Sequence, residues 1–352
     1  MRALVLSGGK ATRLRPITHT SAKQLIPVTG APILFHALES IAQAGIVEVG
    51  VVVGTTGQEV RAAVGDGSRW GLRVTYIDQP EPLGIAHAVM TAAEFVRGEP
   101  FLLYLGDNVL LEGVEPFVRG FERTRPDAQI LLTPVAEPEH FGVAVLDGDR
   151  VERLVEKPTT FVSDLALVGV YLFNDAILEA CASLVPSARG EYEITEAIQW
   201  LVDNGRIVRA ERVKGWWKDT GRPEDLLEAN RVLLGVARSR IDGQVDPDSS
   251  IEGVAVIEAG ALVRASELVG PVYIGAGCRV EGSRLGPDVS LEPGCTVVRS
   301  VVSDSIVMQG CTLTEVDALT GSILGRGVVV RHSGTERTHR LVVGDQSVVE
   351  VD

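Results

Sequence analysis

The 352-residue sequence predicts an α/β domain with a Rossmann-like parallel sheet, followed by a left-handed β-helix solenoid. Three observations carry that expectation. Short apolar runs alternate with helix-periodic stretches in the N-terminal part, as in a parallel sheet with right-handed crossovers. A glycine-rich turn follows the first of those runs. From Ile251 onward, aliphatic residues return at every sixth position.

Ala3-Leu4-Val5-Leu6 is β-prone and short enough to be the first buried strand. Two glycines and a helix-compatible segment come next, through Ser7-Gly8-Gly9-Lys10-Ala11-Thr12-Arg13-Leu14-Arg15-Pro16 to Lys23-Gln24-Leu25-Ile26-Pro27-Val28. A glycine turn between strand and helix lets backbone N–H groups approach a phosphate with no Cβ in the way. Arg13, Arg15 and Lys23 put cations beside it, at the strand end where open α/β sheets take ligands. The turn is neither a P-loop nor G-x-G-x-x-G. On residues alone, an ordinary tight turn with solvated cations also fits.

A helix is expected over Ala31–Gly45, a strand over Val47–Val53, a short helix over Gln58–Val64 and a strand over Leu72–Ile77. Gln79-Pro80-Glu81-Pro82-Leu83-Gly84 reads as a loop opening a helix that runs to Phe95. It permits close approach to a flat ring, and the Gln79 amide can read a pyrimidine edge; a surface turn capping a helix fits equally well. His87 reads as a polar helix residue without a role. Phe101–Leu105 is a buried strand ending in Gly106-Asp107-Asn108. A carboxylate there suits a divalent cation if a second one is brought to it; alone it fits an Asx-turn.

Residues 129–173 read as antiparallel: Gln129–Val135, Gly142–Leu146, Val151–Glu156 and Ala166–Phe173. Gly169 inside a strand implies that something approaches closely there. Glu156-Lys157 taken alone is an exposed pair worth ~0–1 kcal/mol. Glu193 and Thr195 fit the cap of a helix running to Val202. Asp219 fits the N-cap of a helix over Pro223–Leu234. Gly243–Ser250 is a polar, turn-rich linker.

Composition narrows the classes. A net charge of −14 argues against a general nucleic-acid binder but leaves room for a local nucleotide pocket. The four cysteines form no C-x-x-C pair, so they read as reduced, mostly buried thiols of a cytoplasmic protein, and a zinc site is not expected. No apolar run reaches the ~18 residues of a membrane span, and the first residues are too short for a secretory signal.

LSGGKATRLRPIT…AKQLIPV closely resembles the signature loop of the sugar-1-phosphate nucleotidylyltransferases, in particular the long-form glucose-1-phosphate thymidylyltransferases that end in a β-helix. Ala11 departs from the family's usual glycine. The resemblance implies a nucleotidyltransferase catalytic domain over residues 1–240 and a hexapeptide-repeat β-helix over 241–352. It implies nucleotide contacts at Leu6, Gly8, Gly9, Thr12, Arg13, Gln79, Leu83, Gly84 and Asp107. It implies sugar-phosphate contacts at Asn108, Gly142, Glu156, Lys157, Gly169, Tyr171 and Trp217, and Mg²⁺ on Asp107 and Asp219. Arg13, Lys23 and Lys157 are then the catalytic cations. The expected partners are dTTP, or another nucleoside triphosphate, and glucose 1-phosphate, or another sugar or cyclitol phosphate. No nucleic acid or membrane is expected, and the chain is expected to form homo-oligomers.

In the tail, Ile251, Ile257, Val263, Val269, Ile274, Val280, Leu285, Leu291 and Val297 keep a period of six with short slips. Ile306, Leu313, Leu319 and Ile323 suggest that it continues. Such coils serve assembly, then regulation, then acyl transfer, in that order of expectation. An acyltransferase needs a histidine base, and His332 and His339 read as solvated loop residues. A regulatory homologue without catalysis is the alternative from another class.

Overall fold

A nine-stranded sheet organises the first of two units in the computed structural model, which describes residues 1–9, 12–19, 22–148, 150–332 and 338–351. That unit comprises Met1–Lys10 and Leu34–Asp219; the second comprises Ala11–Ile33 and Thr220–Asp352. In chain order the elements begin β1 (Arg2–Ser7), β2 (Pro27–Val28), β3 (Ala31–Pro32), α1 (Ile33–Gln43), β4 (Glu48–Val53), α2 (Gly57–Val64) and β5 (Arg73–Asp78). They continue with α3 (Ile85–Thr91), α4 (Ala93–Val96), β6 (Phe101–Leu105), β7 (Asn108–Leu110), α5 (Glu115–Thr124), β8 (Ala128–Pro134), β9 (Gly142–Asp147) and β10 (Arg150–Glu156). Then come β11 (Leu165–Phe173), α6 (Ala176–Ala182), α7 (Ile194–Asp203), β12 (Val208–Arg212), β13 (Trp217–Asp219) and α8 (Pro223–Gly235).

The sheet order is β5-β4-β1-β6-β11-β8-β12-β10-β9. β5, β4, β1 and β6 run parallel, as the strand–helix alternation predicts. β4 and β6 are almost wholly buried, which is why they read as continuous apolar runs rather than alternating ones. β11 joins the parallel half to a mostly antiparallel half, pairing antiparallel with both β6 and β8; within that half β8 and β12 run parallel. Its register with β8 shifts between Leu167 and Tyr171, around Gly169.

Several local expectations change. The segment after the glycine turn forms short 3₁₀ turns at Thr12–Leu14, Ile17–His19 and Lys23–Leu25 rather than a helix. Pro16 and Pro27 disfavour helical backbone at the residues before them. The helix expected from Ala31 starts at Ile33, because Ala31–Pro32 pairs with Pro27–Val28. The helix after Gly84 is divided at Ala92, next to a Thr91 hydroxyl that donates back to His87 O at 2.8 Å.

The second unit is a left-handed β-helix preceded by α8. Its strands stack in three parallel sheets of seven, seven and six. Ala255 pairs with Val272 and Val272 with Val289, so each of these coils advances 17 residues (272 − 255 and 289 − 272). The expected linker is part of the first coil: Gln244–Val245 pairs with Leu262–Val263, and Ser250 with Glu267. The core follows the period of six with slips to five. Leu268 rather than Val269 enters it after Val263, and Val307 and Leu324 enter it rather than Ile306 and Ile323. Every slip moves the inward position by one residue, and pairing with the coil below fixes which residue turns in. His332 and His339 are not solvated loop residues. They end or lie in strands, half-buried, with His339 across from Leu319.

Candidate active site

The carboxyl ends of β1, β4 and β6 carry the chemistry-bearing turns of the first unit. After β1, a Cβ on Gly8 would meet Gln79 Oε1 at 3.4 Å and Gly54 N at 3.5 Å, ordinary contact distances, so the turn packs against Gln79 and Gly54 without requiring glycine there. Gly9 has no neighbour within 4 Å of such a Cβ, leaving its backbone open. Leu6 is half-buried at the strand end. Ala11 lies outside the described residues, and so does the side chain of Thr12.

Gln79 is buried, with its N–H bonded to Val53 O at 2.8 Å. Its Nε2 stands 2.9 Å from His87 Nδ1 and 3.5 Å from Gly84 O. In the His87 tautomer whose Nδ1 is unprotonated, both amide protons meet protein acceptors and Oε1 is left towards the Gly8 turn. His87 stacks on Tyr192 at 6.1 Å. Tyr192 also zips down the loop: its N–H donates to Leu83 O at 2.8 Å and its carbonyl accepts from Ala86 N at 3.1 Å. Gly84 has φ +104°, and a Cβ there would lie 2.6 Å from Tyr192 O, so this position requires glycine. The loop predicted from Gln79 to Gly84 is thus backbone-braced, and His87 has a partner the sequence reading did not give it.

After β6, the chain turns at Gly106-Asp107 into β7. β13 pairs antiparallel with β7, with Asp219 opposite Asn108. This register brings the second carboxylate to the residue next to Asp107. Asp219 is therefore a strand residue, not the cap of α8; at that helix's start the Arg222 N–H donates to Asp225 Oδ2 at 2.8 Å. Asn108 donates to Asp107 Oδ1 at 3.0 Å and accepts from Trp217 Nε1 at 2.7 Å. A Cβ on Gly169 would fall 2.8 Å from the Asn108 side chain, which is the close approach that a glycine inside β11 implied. Phe141 packs edge-on to Trp217 at 5.7 Å.

At the end of β10, Glu156 accepts from Arg189 Nη1 at 2.9 Å and Thr195 Oγ1 at 3.1 Å, and lies 3.6 Å from Lys157 Nζ. Lys157 sits at φ +41°, a left-handed conformation that costs of order 1 kcal/mol or more for a non-glycine residue. Gly142 leaves room for its neighbours: a Cβ there would be 2.5 Å from Thr195 Cγ2 and 3.0 Å from Glu156 Oε2. Tyr171 is buried on β11. Burial, reinforced by the negative charge of Glu156 and Asp219, pushes its phenol above the ordinary range. Glu193 occupies the N-cap position of α7 without a side-chain capping bond. It accepts from Ser187 Oγ at 2.9 Å, and burial raises its carboxyl pKa.

Arg189 is the residue the sequence reading missed. It bridges Glu156, Glu191 and, at 3.6 Å, Glu193. Its one signal was a lone cation in the acidic run Arg189-Gly190-Glu191-Tyr192-Glu193. In the second unit, buried Leu14, Ile17, Leu25 and Ile26 anchor the signature segment. Arg13 and Arg15 are exposed and Lys23 is half-buried.

Asp107 and Asp219, the latter opposite Asn108 in the β7–β13 register, are hard oxygen donors, the type that Mg²⁺ takes. Among the described residues no three His, Cys, Asp or Glu side chains form a ready-made metal cluster. A pair of carboxylates fits a cation that completes its shell with water and substrate phosphate. The four cysteines are free and buried, and among the described residues no helix is long and apolar enough to cross a membrane.

A family model described as nucleotidyl transferase matches residues 2–235. The chain belongs to the nucleotidyl transferase family. Two relatives extend this likeness through the solenoid. A glucose-1-phosphate thymidylyltransferase of Streptomyces griseus is 52% identical over 354 residues, covering 100% of this chain and 99% of the relative. One of Streptomyces antibioticus is 49% identical over the same extent. A solved Bacillus anthracis structure in complex with a sucrose, described as a glucose-1-phosphate thymidylyltransferase, matches with TM-score 0.64 and 32% identity. It covers 68% of this chain and 98% of its own. This nucleotidyltransferase is therefore an enzyme.

Proposed function

We propose that the enzyme transfers a thymidylyl group from dTTP to glucose 1-phosphate, giving dTDP-glucose and pyrophosphate. The observation that supports this reading is the β7–β13 register, in which Asp219 lies opposite Asn108, the residue that follows Asp107. Full-length identity to thymidylyltransferases supports the choice of substrates.

A phosphate oxygen of the sugar phosphate attacks the α-phosphorus in line. A bond forms between them as the bond from the α-phosphorus to the bridging oxygen breaks, and pyrophosphate leaves with that electron pair. The nucleophile is already an anion, so no general base is required. The chemistry needs alignment and charge neutralisation of two anions. Asp107 and Asp219 would hold Mg²⁺, which when bound supplies positive charge to the reacting phosphate. Lys157 holds the incoming phosphate, and Glu156 accepts from sugar hydroxyls. Arg13 and Lys23 meet the leaving β- and γ-phosphates. Gln79, with its amide protons held by Gly84 O and by His87 in the tautomer whose Nδ1 is unprotonated, presents Oε1 as an acceptor. An acceptor suits the imino N–H of thymine or uracil and rejects the ring nitrogen acceptor of cytosine or adenine.

Pyrophosphate release, measured across a matrix of triphosphates and sugar 1-phosphates with Mg²⁺, tests the reading. The dTTP and glucose 1-phosphate pair is expected to give the highest kcat/KM. Higher values with UTP would move the donor assignment, and no release with any pair would reject the reaction.

A further inference from the structure

The signature segment is seated by side chains that belong to α8 and the solenoid. β2 and β3 close at Thr29-Gly30, and both residues have positive φ, +52° and +81°. Each N–H of that turn has a side-chain acceptor. Thr29 N donates to Asn230 Oδ1 at 3.0 Å. Gly30 N donates to Glu292 Oε1 at 3.2 Å. Asn230 is fully buried on α8 and is itself fixed by the solenoid: Ser290 Oγ donates to its Oδ1 at 2.6 Å, and its Nδ2 donates to Asp288 O at 3.2 Å. The Tyr273 ring lies against Gly30, where a Cβ would be 2.3 Å from the ring, so only glycine fits.

Glu292 is a buried carboxyl directly after the inward Leu291, whereas the equivalent Glu258 is only half-buried. The neighbouring inward positions, Leu291, Cys295 and Val297, are apolar or thiol. Glu292 is 6% exposed. Burying a carboxyl costs free energy unless it is hydrogen-bonded, and the equivalent positions of the adjoining coils are Gly275 and Met308, with a glutamate, Glu258, only one coil further on. Burial pushes its pKa up to about 7, with the Gly30 N–H pulling the other way. The turn it holds is tied to Lys23 by short steps. Ile33 N donates to Ile26 O at 3.2 Å, and Ile26 N donates to Lys23 O at 3.1 Å. The position of the Lys23 backbone therefore follows from the position of the Thr29–Gly30 turn.

We propose that the C-terminal solenoid is part of the transfer machinery, as the seat of the Lys23 segment, and that Glu292 is its positioning residue. The proposal rests on the reading of Lys23 as a triphosphate group, and it gives the tail a task besides assembly.

The test uses the full chain with Glu292→Gln, which keeps an acceptor at Oε1, and Glu292→Leu, which removes it. Two readouts are taken: amide hydrogen exchange at Thr29 and Gly30, and steady-state kinetics with dTTP and glucose 1-phosphate. Glu292→Gln is expected to behave as wild type in both. Glu292→Leu is expected to speed exchange and lower kcat/KM for dTTP, each about tenfold, the scale of one lost hydrogen bond at a buried group. KM for glucose 1-phosphate should stay near the wild-type value. Wild-type exchange and dTTP kinetics in folded Glu292→Leu would overturn the proposal, as would equal loss toward both substrates. If that variant does not fold, Gly30→Ala disturbs the turn from the other side against Tyr273. It should show the same dTTP-selective loss, and unchanged kinetics there would equally overturn the proposal. An inactive wild type would reject the reading of the reaction, while the exchange result would still decide the seating.

Discussion

In the solenoid, buried serines repeat with the coils. Ser266 Oγ accepts from Ser283 N, Ser283 Oγ from Ser300 N and Ser300 Oγ from Val316 N, each at 3.1 Å. In the α/β unit, buried Gln79, Asn108 and Thr195 repeat nothing, and each is directed at another polar side chain of the site. The contrast separates two uses of a buried polar group. A repeating one satisfies the backbone of the next coil. A solitary one has been placed to hold something specific. By that criterion Glu292 and Asn230 belong with the α/β site residues and not with the serine ladder.

Substitutions can break or sharpen this contrast. The largest effect is expected at the strand ends. Asp107→Ala should lower kcat by at least about 100-fold, the scale of one preorganised electrostatic group; turnover within a few-fold of wild type at saturating Mg²⁺ would remove Asp107 from the site. Next comes Glu292. Its folded pKa is raised from 4.5 to about 7, so the protonated form is favoured in the folded state. Its contribution to stability is fully present below about pH 4.5 and is lost as pH rises through about 7, in all about 3 kcal/mol. Tyr273 and Cys278 face it: burial pushes the Tyr273 phenol up, so it stays neutral in that window, whereas the hydrogen bond with Cys295 pulls the Cys278 thiol down. Denaturant melts of wild type and Glu292→Gln should therefore diverge with rising pH, the variant becoming relatively more stable. Parallel curves would contradict a buried titrating carboxyl.

Lys157→Ala should raise KM for the sugar phosphate about 10–100-fold, as for a lost charge-assisted hydrogen bond, and leave KM for the triphosphate nearly unchanged. Equal changes in both would count against its assignment to the incoming phosphate. The smallest effect is expected at His87. His87→Phe keeps a ring against Tyr192 but frees the Gln79 amide, so preference for dTTP over CTP should fall about tenfold. An unaltered preference would mean that Gln79 is oriented without it.

The fold was legible where periodicity is strong: alternating runs in β1 to β6, and aliphatics at six-residue spacing in the tail. The slips to five at Leu268 and Val307 were not, because only pairing with the coil below decides which of two adjacent aliphatics turns inward. The 3₁₀ turns of the signature segment were obscured by helix-compatible residues between prolines. Of the residues proposed for the site, Asp107 and Lys157 are pointed to by local pattern and family resemblance. Asp219 was ambiguous with a helix cap until its register with Asn108 was seen. Arg189 and His87 act through contacts distant in sequence or across a loop, and no local pattern announces such partners. The grouping of residues 11–33 with 220–352 is likewise a tertiary fact.

The central claim is that Asp107 and Asp219 act as one unit on the reacting phosphate. A double-mutant cycle of Asp107→Asn and Asp219→Asn, read as kcat for pyrophosphate release from dTTP and glucose 1-phosphate, tests it most directly. Residues that act as a unit are strongly non-additive. The double variant is predicted to be little slower than the slower single variant. Losses that multiply would contradict a shared site.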